Sequence, residues 1–436
     1  MSPLRPRGDG PQDSSATPAG ERRDWRASLG AGFFSNGVWD MLTVLVPLHA
    51  LAVGLNPAEI GLVVAARSVL PTALSIHGGI VMDELGVRRV LAWVAAATAT
   101  LPLLYPVSSW FALLIGLQFL LGLASNLAMG ASQTWSLQTS RGETGALARF
   151  SIVTRIGTFL GPIIVGATWD VLGAWAAFAC IALWGAGTVA FAVYGTAGDF
   201  RGGRDDMPRE PVRSVAAALL PRWEEHRQAI GLATIPAVAF VLAVSFLRNT
   251  PGAVQGSLYV VYLADIGLTG TIIGMLVALA ELSGVFGSAL AAPVERLVRA
   301  DRLVIACVAV SIVAISITPL LGHALVLLIA AAAVRGASQG MSQPLMYSIL
   351  GRSVPPTMHG AGVGLRHAVT RFASMLIPAG MGLAAEAWGI ETSFYIVGAV
   401  LLLVAAAIAF ATRGALVSAR PAPERRRHLR GMSDEG

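Results

Sequence analysis

Charged side chains inside long apolar stretches are the residues of this chain best suited to chemistry. Asp40 and Glu281 are carboxylates, and five arginines have similar surroundings. A carboxyl group removed from water holds its proton to higher pH, so it can load and release one near neutral pH. Arginine stays charged and binds anionic groups. The set therefore predicts proton exchange and anion binding, and comprises Asp40, Arg67, Arg155, Arg248, Glu281, Arg335 and Arg371.

Two interpretations of the carboxylates remain open. Asp40 and Glu281 could carry protons or cations, or they could be permanent counter-ions of nearby arginines. The excess of arginine over carboxylate favours an anionic or zwitterionic ligand over a cationic one.

Uncharged polar residues in the same stretches extend the candidate site. Amides can bind a ligand or hydrogen-bond one helix to another, and an indole ring can stack on a ligand. The candidates are Asn36, Trp39, Asn126, Gln133, Asn249, Gln339 and Gln343.

The elements that position these residues are predicted to be transmembrane helices. The chain has 436 residues, of which 55% are hydrophobic and only 13% charged. Runs of about 18 apolar residues read as membrane spans, and a span in lipid must be helical to satisfy its backbone. We predict twelve spans, at 29–53, 58–81, 90–107, 110–134, 149–169, 174–194, 233–263, 271–293, 303–321, 324–349, 361–386 and 391–412.

Arginines alternate from one inter-span segment to the next. They occur before span 1, between spans 2 and 3, 4 and 5, 6 and 7, 8 and 9, and 10 and 11, and after span 12. Because basic residues favour the cytoplasmic side, this pattern predicts that both termini are cytoplasmic. All 31 basic residues are arginine, which suggests a GC-rich bacterial genome.

The two halves of the chain repeat each other. Gly61 matches Gly274 at an offset of 213, and Pro162 matches Pro378 at an offset of 216. The second match also pairs arginine, glycine and carboxylate residues. We predict a disordered N-terminal tail at 1–27, two six-helix halves at 28–195 and 231–412, a cytoplasmic linker at 196–230 and a basic tail at 413–436.

The segment between spans 2 and 3 reads G-x-x-x-D-x-x-G-x-R-R and resembles the signature loop of the major facilitator superfamily of secondary transporters. The resemblance covers nearly all of the membrane portion and implies the all-α fold of that family, with twelve transmembrane helices in two pseudo-symmetric halves. It also implies that the Asp braces a gate and that the Arg pair faces lipid headgroups. The gating residues are Gly79, Asp83, Gly86, Arg88 and Arg89.

Two further segments resemble motifs of the same family. Span 5 carries a glycine-proline pattern similar to that of its antiporters, although Val165 replaces one expected glycine. The family's helix-4 arginine corresponds to Gln118 here, and an arginine, Arg335, stands in span 10 instead. The span 5 pattern, which could also serve only close packing, consists of Gly157, Gly161, Pro162 and Gly166.

The resemblance implies a monomeric, multi-pass secondary transporter of the bacterial plasma membrane that moves a small organic solute by alternating access. Proton-coupled efflux is the leading expectation. The alternatives are proton-driven import of an organic anion and a transporter-like sensor or assembly protein. We expect no enzymatic activity, cofactor, metal site or nucleic-acid partner, because no nucleophile constellation, Walker loop, ligand cluster or basic patch occurs.

Overall fold

The computed structural model describes residues 18–140, 143–195, 234–353 and 359–415, and these residues are almost entirely helical. A 3-10 turn follows the third helix at Leu101–Leu104, and a π turn follows the sixth at Gln255–Tyr259. The helices are α1 Pro18–Ala52, α2 Pro57–Leu85, α3 Val87–Thr100, α4 Phe111–Thr139, α5 Thr144–Tyr194, α6 Pro236–Val254, α7 Val260–Asp265, α8 Gly270–Glu295, α9 Ala300–Ser316, α10 Thr318–Leu321, α11 Leu325–Ser353, α12 His359–Trp388 and α13 Ile390–Ala415.

The predicted twelve spans correspond to these helices. Nine helices among the described residues are long and apolar enough to cross a membrane. One of them, α5, is two spans, because its backbone turns at Gly173 with a φ of 79°, which favours glycine. The predicted seventh span consists of α6, the π turn and α7, and the ninth is the 17-residue helix α9. The prediction of an all-α membrane fold is therefore confirmed.

Large apolar side chains point outward from the bundle. Leu183 and Phe410 are each 74% exposed, which suits a surface that lies against lipid. Between helices, small residues allow close approach instead. Gly340 of α11 contacts the backbone of Gly284 of α8, and Gly122 of α4 contacts the backbone of Arg67 of α2.

The bundle has two ends, which we name by their turns. The Gly173 end holds the turns between spans 1 and 2, 3 and 4, 5 and 6, 7 and 8, 9 and 10, and 11 and 12. The Gly86 end is the opposite side of the bundle. It holds the α2–α3 turn at Gly86 and the ends of the spans that are not joined at the Gly173 end.

The internal repeat produces two equivalent contacts between the halves, both toward the Gly173 end. In the first, Gly61 of α2 lies against the carbonyl of Pro378 and against Gly382 of α12. In the second, Gly274 of α8 lies against the carbonyl of Pro162 in α5. The residues in contact are the ones that the repeat matches, so the two halves meet through a pseudo-twofold arrangement.

Most of the predicted gating loop is helical. α2 continues to Leu85 and α3 begins at Val87, which leaves Gly86, with a φ of 89°, as the turn. The expectation of a loop from Gly79 onward was therefore wrong. The surroundings of Gly79 and the side chain of Asp83 lie outside what the structure describes. Arg88 donates from Nε to the carbonyl of Ala192 at 2.8 Å, so it ties α3 to the last turns of α5 instead of facing only headgroups.

Two segment boundaries also differ from expectation. α1 begins at Pro18, so helix already occupies part of the predicted tail at 1–27. α13 continues to Ala415, beyond the predicted end of the second half at 412. The predicted linker at 196–230 and residues 416–436 lie outside the described residues.

Candidate functional site

A cavity of about 240 Å³ lies between the two halves. Its walls come from α1, α2, α6 with the π turn, α8, α11 and α12, and no residue of α3, α9 or α13 lines it. The lining residues are Trp39, Asp40, Thr43, Val64, Arg67, Ser68, Arg248, Asn249, Gly252, Ala253, Gln255, Gly256, Glu281, Gln339, Arg371, Ser374 and Pro378.

Trp39 meets an arginine from each half of the protein. The guanidinium carbon of Arg67 lies 3.5 Å from the ring centroid, and that of Arg371 lies 4.5 Å from it. Both distances fall within the range of a cation–π interaction, which strengthens where water is excluded. Because Arg371 belongs to α12, its contact with Trp39 joins the halves at the cavity wall.

Arg67 is held in place by α1. It donates to the hydroxyl of Thr43 at 3.2 Å and to the carbonyl of Trp39 at 2.7 Å, and only 7% of its surface is exposed. By contrast, Arg371 makes no hydrogen bond to any described residue, and its guanidinium lies over the Trp39 ring. The donors of Arg371 are therefore available to a ligand in the cavity.

Consecutive polar residues of α6 tie that helix to its neighbours. Arg248 donates to the hydroxyl of Ser342 at 2.9 Å and to the side-chain oxygen of Gln343 at 3.1 Å, both on α11. Asn249 donates to the hydroxyl of Ser374 on α12 at 2.7 Å. These bonds fix the orientation of both residues where they reach the cavity.

The two carboxylates line the cavity from opposite halves. Asp40 lies on α1 and Glu281 on α8, and both are half-buried. Neither accepts a hydrogen bond or forms an ion pair within 4 Å with a described residue. Arg67 and Glu281 act electrostatically on Asp40, and Arg335 interacts in the same way with Glu281. Because neither carboxylate is held by a hydrogen bond to a described residue, each can change its protonation state without breaking one.

Eight of the predicted site residues line the cavity, and six do not. Arg155 is half-buried and Gln133 is exposed, both away from the cavity wall. Asn36 donates within α1 to the carbonyl of Gly32 at 2.8 Å. The six outside the wall are Asn36, Asn126, Gln133, Arg155, Arg335 and Gln343.

Arg335 is fully buried behind the cavity wall in α11. Its guanidinium carbon lies 5.8 Å from the ring centroid of Tyr259, and both terminal nitrogens lack a hydrogen-bond partner among the described residues. Gln118 of α4 is 1% exposed, and its amide also lacks a partner there. Neither residue reaches the cavity in this conformation.

Sequence reasoning missed several small polar residues of the wall. Thr43 lies one turn beyond Trp39 and Asp40, and Ser374 lies one turn beyond Arg371. Residues three or four apart share a helix face, so this spacing was the available signal. Ser68 directly follows Arg67 and has no comparable signal.

A break in the seventh span lies beside the cavity. The π turn contributes Gln255 and Gly256 to the wall, and the backbone at Ser257 is non-helical, with φ −134° and ψ −111°. The equivalent α1 is continuous through this region. Such π turns are often found at functional sites and allow a helix to bend.

The comparisons with known proteins agree with this architecture. The sequence pattern of the Major Facilitator Superfamily matches residues 29–250 and 241–433, which together span most of the chain. The chain belongs to this superfamily, and it is accordingly a multi-pass membrane transporter. None of the curated proteins is a significant match.

Solved transporter structures share the fold at low sequence identity. The nucleoside transporter NupG has a TM-score of 0.71 at 15% identity, covering 89% of this chain and 99% of its own. A bacterial homolog of the human lysosomal transporter Spinster, in an inward-facing and unoccupied conformation, has a TM-score of 0.68 at 17% identity, covering 94% and 100%. A POT family transporter in complex with 5-aminolevulinic acid has a TM-score of 0.68 at 12% identity, covering 89% and 96%. At these identities the similarity shows the fold alone.

Proposed function

We propose that the protein exports a small organic solute that carries a negative charge, in exchange for protons. The observation that carries the proposal is that Asp40 and Glu281, which form no hydrogen bond or close ion pair with a described residue, line the same cavity as the available donors of Arg371. Proton and solute would then compete for one set of charges, and such competition couples their movements.

Charge at the two ends supports an orientation. Among the described residues, the exposed arginines occur at the Gly86 end, and the Gly173 end carries carboxylates such as Asp170, Asp265 and Glu386. By the positive-inside rule, the Gly86 end faces the cytoplasm of the plasma membrane, and so do both termini. The halves are in contact at the Gly173 end, so the cavity in this conformation belongs to an inward-facing state.

The wall chemistry supports an anionic or zwitterionic solute. Three arginines and two carboxylates line the cavity. Two of those arginines, Arg67 and Arg248, already donate to protein oxygens, which leaves Arg371 to bind an acidic group. Asp40 and Glu281 can accept a proton, or the ammonium group of a zwitterion.

The direction of transport rests on the glycine-proline segment of α5. Gly157 contacts the backbone of Phe33, and Gly161 lies against Met41, both in α1. This close packing, together with the likeness to the antiporter motif, favours exchange of an outgoing solute for an incoming proton.

A proteoliposome experiment tests the proposal. A pH-sensitive dye in the lumen reports proton movement when benzoate, succinate, glutamine or tetraphenylphosphonium is added, representing a monocarboxylate, a dicarboxylate, a zwitterion and a lipophilic cation. We expect an anion or the zwitterion to move protons in the opposite direction to itself. Movement of proton and solute together would instead establish the import alternative, and a response to the cation alone would overturn the proposed solute class.

Arg371 and its repeat partner Arg155 provide a matched test of solute binding. Arg371→Gln should weaken binding of the anionic solute about tenfold to a hundredfold, because a hydrogen bond to a charged group contributes about 1.5–3 kcal/mol. Arg155→Gln should change affinity less than about twofold, because that side chain does not reach the cavity. Calorimetric titration of the purified variants measures both, and equal effects would contradict the assignment of Arg371.

A further inference from the structure

Asp170, near the end of the fifth span, accepts three hydrogen bonds from the other half of the protein. Its Oδ1 accepts from the backbone N–H of Gly270 at 2.7 Å. Its Oδ2 accepts from the backbone N–H of Thr271 at 2.7 Å and from the hydroxyl of the same threonine at 2.6 Å. Both oxygens of this carboxylate are therefore bound to the beginning of α8.

These bonds satisfy donors that α8 cannot satisfy by itself. The first N–H groups of a helix have no partner within the helix, and they carry partial positive charge that favours an anion. The side chain of the preceding residue, Thr269, accepts from the N–H of Ile272 at 3.4 Å, and its hydroxyl also lies near Asp170. Asp170 accepts from the N–H groups of Gly270 and Thr271, the two residues before Ile272. The beginning of α8 in one half is therefore capped by a carboxylate of the other half.

The repeat-equivalent position is built differently. Glu386 corresponds to Asp170 at the offset of 216, and α2 corresponds to α8. α2 caps itself, since Asn56 accepts from the N–H of Glu59 at 2.8 Å and Glu59 accepts from the N–H of Asn56 at 3.0 Å. Its first residue is Pro57, which has no N–H to donate. Glu386 is exposed and makes no hydrogen bond to any described residue.

We propose that Asp170 is the latch that holds the Gly173 end closed during transport, and that it acts at only one of the two equivalent inter-half contacts. All three of its donors belong to the other half, so the bonds exist only while α5 and α8 are together. Opening this end breaks three charge-assisted bonds between α5 and α8. At the equivalent contact, Gly61 of α2 packs against the backbone of Pro378 and Gly382 of α12. The carboxylate at position 170 therefore sets the ratio of closed to open states, whatever the solute or coupling ion.

Distances between spin labels across the Gly173 end test this proposal without a ligand. Leu172 and Asp265 are exposed, lie in opposite halves and take no part in the latch, so they are suitable labelling sites after both native cysteines have been replaced by serine. Asp170→Ala should raise the ratio of long to short distances about tenfold. Three buried hydrogen bonds to a charged group would give a larger change, but this site is exposed, and water weakens each bond. The matched control Glu386→Ala should change the ratio less than about twofold. An unchanged distribution in Asp170→Ala, or an equal shift in Glu386→Ala, would overturn the proposal.

Two further variants keep the test decisive if Asp170→Ala does not fold. Thr271→Val removes the hydroxyl bond and leaves both backbone bonds in place, so it should shift the ratio in the same direction by a smaller factor. The triple variant Pro57→Gly, Ala58→Thr and Glu386→Asp copies the α8 arrangement onto α2, and it should shift the ratio toward the closed state. A shift toward the open state in the triple variant, or no effect of Thr271→Val, would also contradict the latch.

Discussion

Substitution of Gly274 by valine is expected to force the Gly173 end open and to slow transport by tenfold or more. A Cβ at this position would overlap the carbonyl of Pro162 across the inter-half contact. Backbone atoms cannot rotate away as a side chain can, so closure of α5 onto α8 would have to stop short. Overpacking of this kind costs about 1–3 kcal/mol, which corresponds to a shift of about five- to a hundredfold in a two-state ratio.

The measurement combines spin-label distances with transport in proteoliposomes. Gly380→Val is the matched control, because a Cβ at Gly380 of α12 meets no atom within 4 Å. It should leave distances and transport within about twofold of the native protein, and α12 should fold normally. If Gly274→Val transported as fast as Gly380→Val, the close contact would not be part of the transport cycle.

The second contact should behave in the same way. A Cβ at Gly61 would overlap the carbonyl of Pro378, as a Cβ at Gly274 overlaps that of Pro162. Steric requirements are therefore equal at the two contacts, whereas the hydrogen bonds of Asp170 occur at one of them. Variants of Gly61 and Gly274 measure the steric contribution to closure, which is the same at both contacts. Variants of Asp170 and Glu386 measure the hydrogen-bond contribution, which is present at one contact.

The elements that the sequence predicted well are those fixed by local rules. Span length and apolar composition are enforced by the bilayer, so the twelve helices could be predicted without any knowledge of packing. The repeat at Gly61 and Gly274 was also visible, because a backbone contact tolerates only glycine and the same contact is made twice. The break at Gly173 was predicted as a loop for a similar reason, since its positive φ requires glycine.

The candidate site was predicted less completely, because it depends on how helices rotate and on how the halves pair. Arg155 and Arg371 are equivalent in the repeat, but only Arg371 reaches the cavity, whose wall comes mostly from the second half. The role of Asp170 was not predicted from the sequence. Its partners lie 100 and 101 residues away, and no local pattern reports a pairing between halves.

Neutral substitutions of the cavity carboxylates give the largest expected effect on coupling. Asp40→Asn and Glu281→Gln keep the shape of each side chain but cannot exchange a proton. With one proton per solute, a pH difference of about two units supports an accumulation of about a hundredfold, because each tenfold step requires 1.4 kcal/mol. We expect accumulation to disappear in the variant that replaces the proton carrier, whereas exchange of labelled for unlabelled solute should persist.

Exchange is what distinguishes lost coupling from lost binding. A variant that neither accumulates nor exchanges solute has lost its binding site, which would make that carboxylate a ligand of the solute and not a carrier of protons. Glu386→Gln is the control, since this carboxylate is exposed and outside the cavity, and it should accumulate solute as the native protein does. If both cavity variants still accumulated solute about a hundredfold, Asp40 and Glu281 would be permanent counter-ions of the arginines, since a neutral side chain cannot transmit a proton gradient. Among the described residues, neither carboxylate forms an ion pair within 4 Å, which argues against that outcome, because a counter-ion gains its stability from contact with the opposite charge.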